Sequence, residues 1–196
     1  MSLRTEKPRL EAGLLLRAYA NGWFPMAHED GEIYWHDPDP RAVFELHHLR
    51  MGRSTRKQLV QEGFTLTHDR CFTEVMRACA DRPETWITEE MIAAYTDLHK
   101  AGRAHSVETW LGDELVGGIY GVALGAAFFG ESMFSRVSGA GKAAFFHLSG
   151  HLREQGFVLF DTQYRNPFTK QLGAVEIARA DFQAQLAAAL SLPVTF

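Results

Sequence analysis

Gly130-Glu131-Ser132-Met133-Phe134-Ser135 and Phe160-Asp161-Thr162-Gln163 are the two segments that decide the fold of this 196-residue chain. Each includes or follows a run of apolar residues typical of a buried strand, and a stretch at helical spacing from about Lys142 to Gln155 separates them. In a strand–helix–strand unit the two strands lie parallel, so their carboxyl ends open into one crevice. We therefore expect the two acidic residues and Gln163 to share a site lined by Met and Phe. Carboxylates are costly to place beside apolar surface, which points to chemistry.

The pattern on the N-terminal side of this unit is rich in strands. Runs at 104–111 and 115–124 flank Gly112-Asp113, a hairpin signal, and a third run at 126–129 follows a turn at Gly125. Helical spacing predicts helices over about 10–21, 54–62, 71–80, 88–100 and 178–190. Antiparallel strands followed by a strand–helix–strand unit predict an α+β domain over residues 61–196, with a small N-terminal α/β lobe over residues 1–60 laid against it.

Composition predicts a cytoplasmic protein with no membrane partner. No run approaches the roughly 20 apolar residues needed to cross a bilayer. The segment Met1–Pro8 lacks the apolar core of a signal peptide. Cys71 and Cys79 fall eight residues apart in one predicted helix, too far to pair with each other, which favours a reducing compartment.

The formal net charge of −4 argues against a protein that is basic all over, but the charge is unevenly spread. Five basic residues lie in a segment whose only acid is Glu45: Arg41, Arg50, Arg53, Arg56 and Lys57. This segment is either a solvated helix start or a local phosphate-contacting patch on an otherwise acidic protein.

Two further motifs each allow a site. Arg136-Val137-Ser138-Gly139-Ala140-Gly141 has the form with which GNAT-type acetyltransferases bind the pyrophosphate of acetyl-CoA, although the glycines could equally form only the turn into the helix. His147 and His151 have the i, i+4 spacing of metal ligands, but no Glu follows His147 and no third ligand is evident, so we predict no metal site.

Aromatic residues near loops suggest contact with a nucleobase. Trp35 and Trp86 each adjoin a loop, and Tyr95 lies one predicted helix away; these rings either belong to the core or stack on a base. No convincing nucleophile is found, because Ser132 and Ser135 lack a nucleophile elbow and neither cysteine has a neighbouring base. The sequence therefore favours direct transfer between two bound substrates.

A set of motifs in one order resembles the leucyl/phenylalanyl-tRNA–protein transferase family. The matching segments are Trp35-x-Asp-Pro-Asp-Pro-Arg41, Thr85-Trp86-Ile87-Thr88, Ala94-Tyr95-x-x-Leu98-His99, His105-Ser106-Val107-Glu108, Leu115-Val116-Gly117-Gly118-x-Tyr120-Gly121, Gly130–Ser135 and Asp161-x-Gln163. The resemblance runs from about Leu14 to the C-terminal helix.

The resemblance implies a GNAT-like C-terminal domain with a small N-terminal domain. It implies transfer of Leu or Phe, and possibly Met, from aminoacyl-tRNA to proteins that begin with Arg or Lys, which marks them for degradation by the N-end rule. The aminoacyl ester is already activated, so neither a metal nor another cofactor is required, and we expect a monomer.

The resemblance also implies roles for individual residues. Asp161 and Gln163 would form a relay that orients and activates the acceptor amine, and Glu131 would help to hold the reacting groups. The substrate-binding residues would be Trp35, Trp86, Tyr95, Ile119, Phe128, Met133, Phe145, Leu148, Phe160 and Asn166, with Trp86 and Tyr95 on the terminal adenosine of the tRNA. Arg53, Arg56 and Lys57 would contact the tRNA backbone.

The chain departs from the family pattern at three places. Met26 stands where many members have Trp, which changes the packing of adenosine there. Asp161-Thr162-Gln163 replaces the more usual D-C-Q, and the loop from Asn166 to Ala174 lacks the His and Ser frequent in members.

Overall fold

The computed structural model describes residues 10–196, apart from the side chains of residues 54 and 58; the segment 1–8, on which the signal-peptide argument rests, lies outside it. In chain order the elements are α1 (Ala12–Ala20), β1 (Phe24–Ala27), β2 (Ile33–His36), β3 (Arg41–Phe44), α2 (Arg53–Gln61), β4 (Thr65–His68), α3 (Phe72–Ala80), α4 (Glu89–Lys100), β5 (Ala104–Leu111), β6 (Glu114–Leu124), β7 (Ala127–Ser135), α5 (Ala140–Gln155), β8 (Leu159–Gln163), α6 (Pro167–Leu172), β9 (Val175–Ile177) and α7 (Arg179–Leu190).

Seven strands form one mixed sheet in the order β4-β5-β6-β7-β8-β3-β9. The pairing of β7 with β8 is parallel, and the other neighbours in this sheet are antiparallel. Helix α5 makes the crossover between the two parallel strands. This confirms both the α+β class and the strand–helix–strand unit predicted from the two deciding segments, as well as the hairpin at Gly112-Asp113.

Both faces of the sheet are buried, because neighbouring strand residues point in opposite directions. Val43, Tyr120 and Leu159 pack with helices α1, α3, α4 and α7 in one apolar core. Their chain neighbours Phe44, Ile119 and Phe160 pack with α5 in a second core. The sheet therefore separates two hydrophobic layers, which we call the four-helix layer and the α5 layer.

The strands β1 and β2 and the short helix α6 were not predicted from the sequence. The segments Phe24–Ala27 and Ile33–His36 form an antiparallel two-stranded sheet of their own, although a proline occupies the first strand. Helix α6 begins at Pro167 in the first turn, where a proline fits, and Asn166 caps it by accepting hydrogen bonds from the backbone N–H groups of Phe168 and Thr169.

Strand pairing places part of the predicted N-terminal lobe in the large sheet. β3, which precedes the predicted boundary at residue 60, pairs with β8 on one side and β9 on the other. Residues 41–44 therefore belong structurally with the larger unit, while the β1–β2 sheet stands apart from it.

Among the described residues, no helix combines the length and the apolar character needed to cross a bilayer. Cys71 and Cys79 are both free thiols.

Helix α5 approaches β7 so closely at its first turn that a side chain has no room. A Cβ atom on Gly141 would lie 2.9 Å from the backbone oxygen of Phe134 and 3.2 Å from the Met133 side chain. Gly150, in the middle of the same helix, has no atom within 4 Å of its Cβ position.

These two glycines give a matched pair of substitutions. We expect Gly141→Ala to destabilise the protein by about 1–3 kcal/mol, because the backbone must shift to admit the methyl group. Gly150→Ala should stabilise it by up to about 1 kcal/mol through helix propensity. Urea denaturation followed by circular dichroism measures both; equal effects of the two changes would contradict the close packing.

Candidate active site

The two parallel strands of the deciding segments separate near their ends. β7 and β8 pair at three positions, the last of which joins Phe129 to Asp161. On its other side β7 carries a bulge: Gly130 and Ser132 pair with successive residues of β6, and Glu131 is the extra residue between them. Bulges re-aim side chains, and this one turns Glu131 toward the gap between the strands.

β8 has a matching irregularity against β3. Asp161 and Gln163 pair with successive residues of β3, so that Thr162 is the extra residue. Gln163 has a φ of +59°, a left-handed conformation that is uncommon outside glycine. Its backbone N–H donates to Oδ1 of Asp161 over 3.0 Å, which holds the turn. Strained backbone of this kind clusters at functional sites.

Asp161 forms a fully buried ion pair with Arg41. The Nε and Nη2 atoms of Arg41 donate to the two carboxylate oxygens over 2.8 and 2.6 Å, and both side chains have zero exposure. With the Gln163 backbone as a third donor, the carboxylate is satisfied by hydrogen bonds. Asp161 does not line the cavity described below.

The surroundings of Arg41 correct one part of the sequence analysis. Its Nη1 donates to the Gly22 carbonyl oxygen over 2.8 Å, and its guanidinium lies 4.8 Å from the ring centre of Phe24 and 4.3 Å from that of Phe182. A charge enclosed in this way is unavailable to phosphate, so Arg41 does not belong to the basic patch. Arg50, Arg53, Arg56 and Lys57, in contrast, are exposed at and just before helix α2.

Glu131 is a partly buried carboxyl among hydroxyl groups and one amide. Gln163 donates from Nε2 to its Oε1 over 2.9 Å, and the Tyr95 hydroxyl lies 3.5 Å from its Oε2. Burial raises the pKa of Glu131 to about 8, and the nearby charge of Asp161 adds to this, while the hydroxyl groups of Tyr19 and Tyr95 oppose it. A carboxyl that titrates near neutral pH can accept a proton and give it back.

A cavity of about 360 Å³ opens beside Glu131 and Gln163. Of the predicted residues it is lined by Glu131, Gln163, Trp86, Ile119, Met133, Phe145, Phe160 and Asn166. Its apolar wall comes from the α5 layer, where Phe44, Phe145 and Phe160 have ring centres 4.7–5.9 Å apart. Phe24 and Trp86 come from the four-helix layer. The cavity thus joins the two layers where β7 and β8 separate.

Four predicted substrate-binding residues lie elsewhere. Tyr95 has no exposed surface, so its ring has no face on which a nucleobase could stack; its hydroxyl points to Glu131 instead. Phe128 and Leu148 are buried inside the α5 layer behind the cavity lining. Trp35 is half-buried on β2, opposite Pro25, and packs against the four-helix core.

Several cavity residues were missed from the sequence. Phe44 lies on β3, whose position next to β8 was not predicted from the sequence. Tyr164 and Phe168, which are 45% and 40% exposed, follow Gln163 and were hidden in a loop without a recognised pattern. Arg82 comes from the connection between α3 and α4 and donates to the Ser132 hydroxyl over 3.1 Å. The aromatic residue Tyr164, directly after Gln163, was the usable signal.

The glycine run at 136–141 serves the packing of α5. The Gly141 N–H donates to the Ser135 hydroxyl oxygen over 3.1 Å, and Arg136 donates to the Leu115 carbonyl oxygen over 2.9 Å. These contacts occupy groups that a pyrophosphate would need, so the structure favours the turn interpretation over a CoA site.

The histidines singled out in the sequence meet a third one. The ring of His68 lies 4.8 Å from that of His147 and 4.4 Å from that of His151, centre to centre. Within residues 10–196, no group of three or more His, Cys, Asp or Glu side chains has an arrangement that could hold a metal ion.

Comparisons with known proteins agree over nearly the whole chain. The family model for leucyl/phenylalanyl-tRNA protein transferase matches residues 43–187, and the model for its N-terminal domain matches residues 9–39. This division falls about 20 residues before the predicted boundary and just before β3. A leucyl/phenylalanyl-tRNA–protein transferase of Gloeobacter violaceus is 53% identical, covering 93% of this chain and 95% of the relative. One of Paramagnetospirillum magneticum is 51% identical, covering 93% and 90%.

Similarity to solved structures is weaker. The structure of L-PGS from Bacillus licheniformis aligns with a TM-score of 0.46 and 14% identity, covering 76% of this chain and 56% of that one. A likeness at this level carries no argument about fold or activity.

Removal of one partner from the buried ion pair between Arg41 and Asp161 should be strongly destabilising. We expect Arg41→Met to lower the free energy of unfolding by about 3–5 kcal/mol, because it leaves a buried carboxylate without its partner. Lys100→Met, which breaks the exposed pair with Asp97, should change it by less than about 1 kcal/mol. Chemical denaturation measures both, and a small loss in the Arg41 variant would contradict the assignment.

The raised pKa of Glu131 has a consequence for stability. A carboxyl with a folded-state pKa of about 8 contributes stability below its ordinary pKa and loses it as the pH rises toward 8. Glutamine does not titrate, so Glu131→Gln should gain stability relative to the wild type between about pH 5 and pH 8. Unfolding curves at several pH values test this; a constant difference would rule out the raised pKa.

Proposed function

The chain belongs to the leucyl/phenylalanyl-tRNA–protein transferase family, and from this premise we propose how its residues move leucine or phenylalanine from tRNA to protein. The observation that carries the proposal is the 2.9 Å hydrogen bond from Gln163 to Glu131 on the wall of the cavity. It brings together a proton acceptor and an amide at a point where the apolar wall begins.

The reaction needs a proton acceptor. The α-amino nitrogen of the acceptor protein attacks the ester carbonyl carbon, a C–N bond forms, and the C–O bond to the ribose breaks. We assign Glu131 to take the proton that the amine loses and to return it to the departing ribose oxygen. Its pKa of about 8 lies close to the range of about 7.7–8.0 that is usual for an α-amine, so the proton moves with little cost in either direction.

Asp161 and Gln163 have different tasks in this proposal. Gln163 uses its side-chain amide to hold Glu131, and its carbonyl oxygen to orient the amine. Asp161 is enclosed by Arg41 and the Gln163 backbone, so it positions Gln163 and does not meet the substrate. This differs from the activating role for Asp161 that the family resemblance implied, because both carboxylate oxygens are already occupied by donors of the protein.

The apolar wall would hold the side chain of the transferred amino acid. Phe44, Ile119, Met133, Phe145 and Phe160 supply carbon surface only, apart from the Met133 sulfur. Such a wall accepts leucine and phenylalanine, and it separates them from methionine by only about 1–3 kcal/mol. Methionine is therefore a further candidate donor.

The tRNA would be held at two places. Trp86 and Met26 line the cavity together, and the Ala27 N–H donates to the Trp86 carbonyl oxygen over 3.3 Å, so the β1–β2 sheet supports a stacking site for the terminal adenosine. Arg53 and the other exposed basic residues of α2 would contact phosphates of the acceptor stem without reading bases.

We further propose acceptors that begin with arginine or lysine, as in the N-end rule pathway, a cytoplasmic setting and a monomer. The half-exposed rings of Tyr164 and Phe168 support the acceptor assignment, because aromatic faces attract cations. The parallel β7–β8 pair joined by α5 supports a GNAT-like arrangement of the larger unit.

A transfer assay with purified protein, leucyl-tRNA and a peptide that begins with arginine tests the proposal. The wild type should place leucine on the peptide N-terminus, and Glu131→Gln should lower the rate by about 10²–10⁴-fold, the range for loss of a general base. tRNA binding, measured by filter retention, should persist. Glu114→Gln, an exposed change on β6, is the matched control and should keep full activity.

Two outcomes would contradict this account. A wild-type protein that leaves the peptide unmodified would refute the activity itself. Transfer by the Glu131 variant at the wild-type rate would leave the activity standing and remove Glu131 as proton acceptor.

A further inference from the structure

Tyr19 is a buried side chain to which no role has been given. It lies on α1, far from the deciding segments in sequence, and it has no exposed surface. We propose that Tyr19 is a positioning residue whose hydroxyl acts through that of Tyr95 to favour the charged form of Glu131, and so helps to set the pH at which transfer operates. The inference rests on the proposed role of Glu131.

The hydroxyl of Tyr19 takes part in a short chain of contacts. It forms a hydrogen bond with the hydroxyl of Tyr95, whose own oxygen lies 3.5 Å from Glu131. Because the Tyr95 hydroxyl donates to Glu131, Tyr19 must supply the proton of the hydrogen bond between the two tyrosines. A hydroxyl that donates to a carboxylate stabilises the charged form, so Tyr19, by holding the Tyr95 proton toward Glu131, works against the effect of burial.

The donor cannot itself ionise in the working range. Burial raises the pKa of Tyr19 and of Tyr95 well above the ordinary value of a phenol, and the charge of Glu131 adds to this. Both groups therefore stay protonated while Glu131 titrates. The charged and titratable groups around Glu131 are Tyr19 on α1, Tyr95 on α4, Tyr120 on β6, Arg41 on β3 and Asp161 on β8.

Tyr120 provides a contrast within the same cluster. Its ring packs against that of Tyr95 with centres 6.0 Å apart, and it is as completely buried as Tyr19. Its hydroxyl, however, has no hydrogen-bond partner among the described residues. Tyr120→Phe therefore removes a buried tyrosine hydroxyl, as Tyr19→Phe does, but it removes no donor from the chain of hydrogen bonds that leads to Glu131.

The experiment compares Tyr19→Phe with Tyr120→Phe. The side-chain carboxyl of Glu131 is followed by NMR in protein labelled with ¹³C-glutamate, with Glu131→Gln to assign the signal, and the transfer rate is measured over the same pH range. We expect Tyr19→Phe to move the titration midpoint of Glu131 upward by about one pH unit, because the Tyr95 hydroxyl is then no longer held with its proton toward the charged form. The rising limb of the rate profile should move with it. Tyr120→Phe should move neither.

The two measurements separate the two proposals. An unmoved NMR titration in Tyr19→Phe overturns the inference, whatever the activity of Glu131. A titration that moves while the rate profile stays in place supports the action of Tyr19 on Glu131 and overturns Glu131 as the proton acceptor.

Should Tyr19→Phe not fold, 3-fluorotyrosine at position 19 keeps the ring and the hydroxyl and makes the hydroxyl a stronger donor. The midpoint should then move downward, and an unchanged midpoint would overturn the inference.

Discussion

The buried ion pair between Arg41 and Asp161 is the interaction on which the site depends. It joins β3 to β8 through two side-chain hydrogen bonds, anchors the turn after α1 through the Gly22 carbonyl, and fixes the Gln163 backbone in a left-handed conformation. Two charges removed from water in this way are tolerated only when their remaining donors and acceptors are satisfied, as they are here. These contacts restrict the Gln163 backbone, and the Gln163 side chain is thereby held within hydrogen-bonding distance of Glu131.

The sheet contributes to chemistry at the place where its regular pairing stops. β7 and β8 part after Phe129 and Asp161, and each carries a bulge just beyond. The gap brings a carboxyl surrounded by tyrosines on one side of the sheet next to an aromatic cavity wall on the other. A regular pair of parallel strands would have kept these two environments apart.

The sequence was sufficient for the parallel unit, most helices and the membership of Glu131 and Gln163 in one site, because apolar periodicity and chain order determine these features. The sequence did not predict the structural role of Arg41, because this residue cannot be told apart from the four neighbouring basic residues until its burial is known. Tyr95 shows the same limit: its motif identified the residue, but only packing reveals that the hydroxyl, and not the ring, faces the site. Long-range partners leave no local pattern, and Tyr19 with Phe44 were missed for this reason.

The position of β3 between β8 and β9 has a consequence for how the protein is made. Arg41 and Asp161 are 120 residues apart in the chain, and β3 has no partner strand until β8 has been synthesised. Contacts of such high sequence separation form late in folding, because the loop between them must be closed first. On the ribosome, the N-terminal segment must therefore wait with an unpaired strand and an unpaired arginine, and catalytic competence arrives only when nearly the entire chain has emerged.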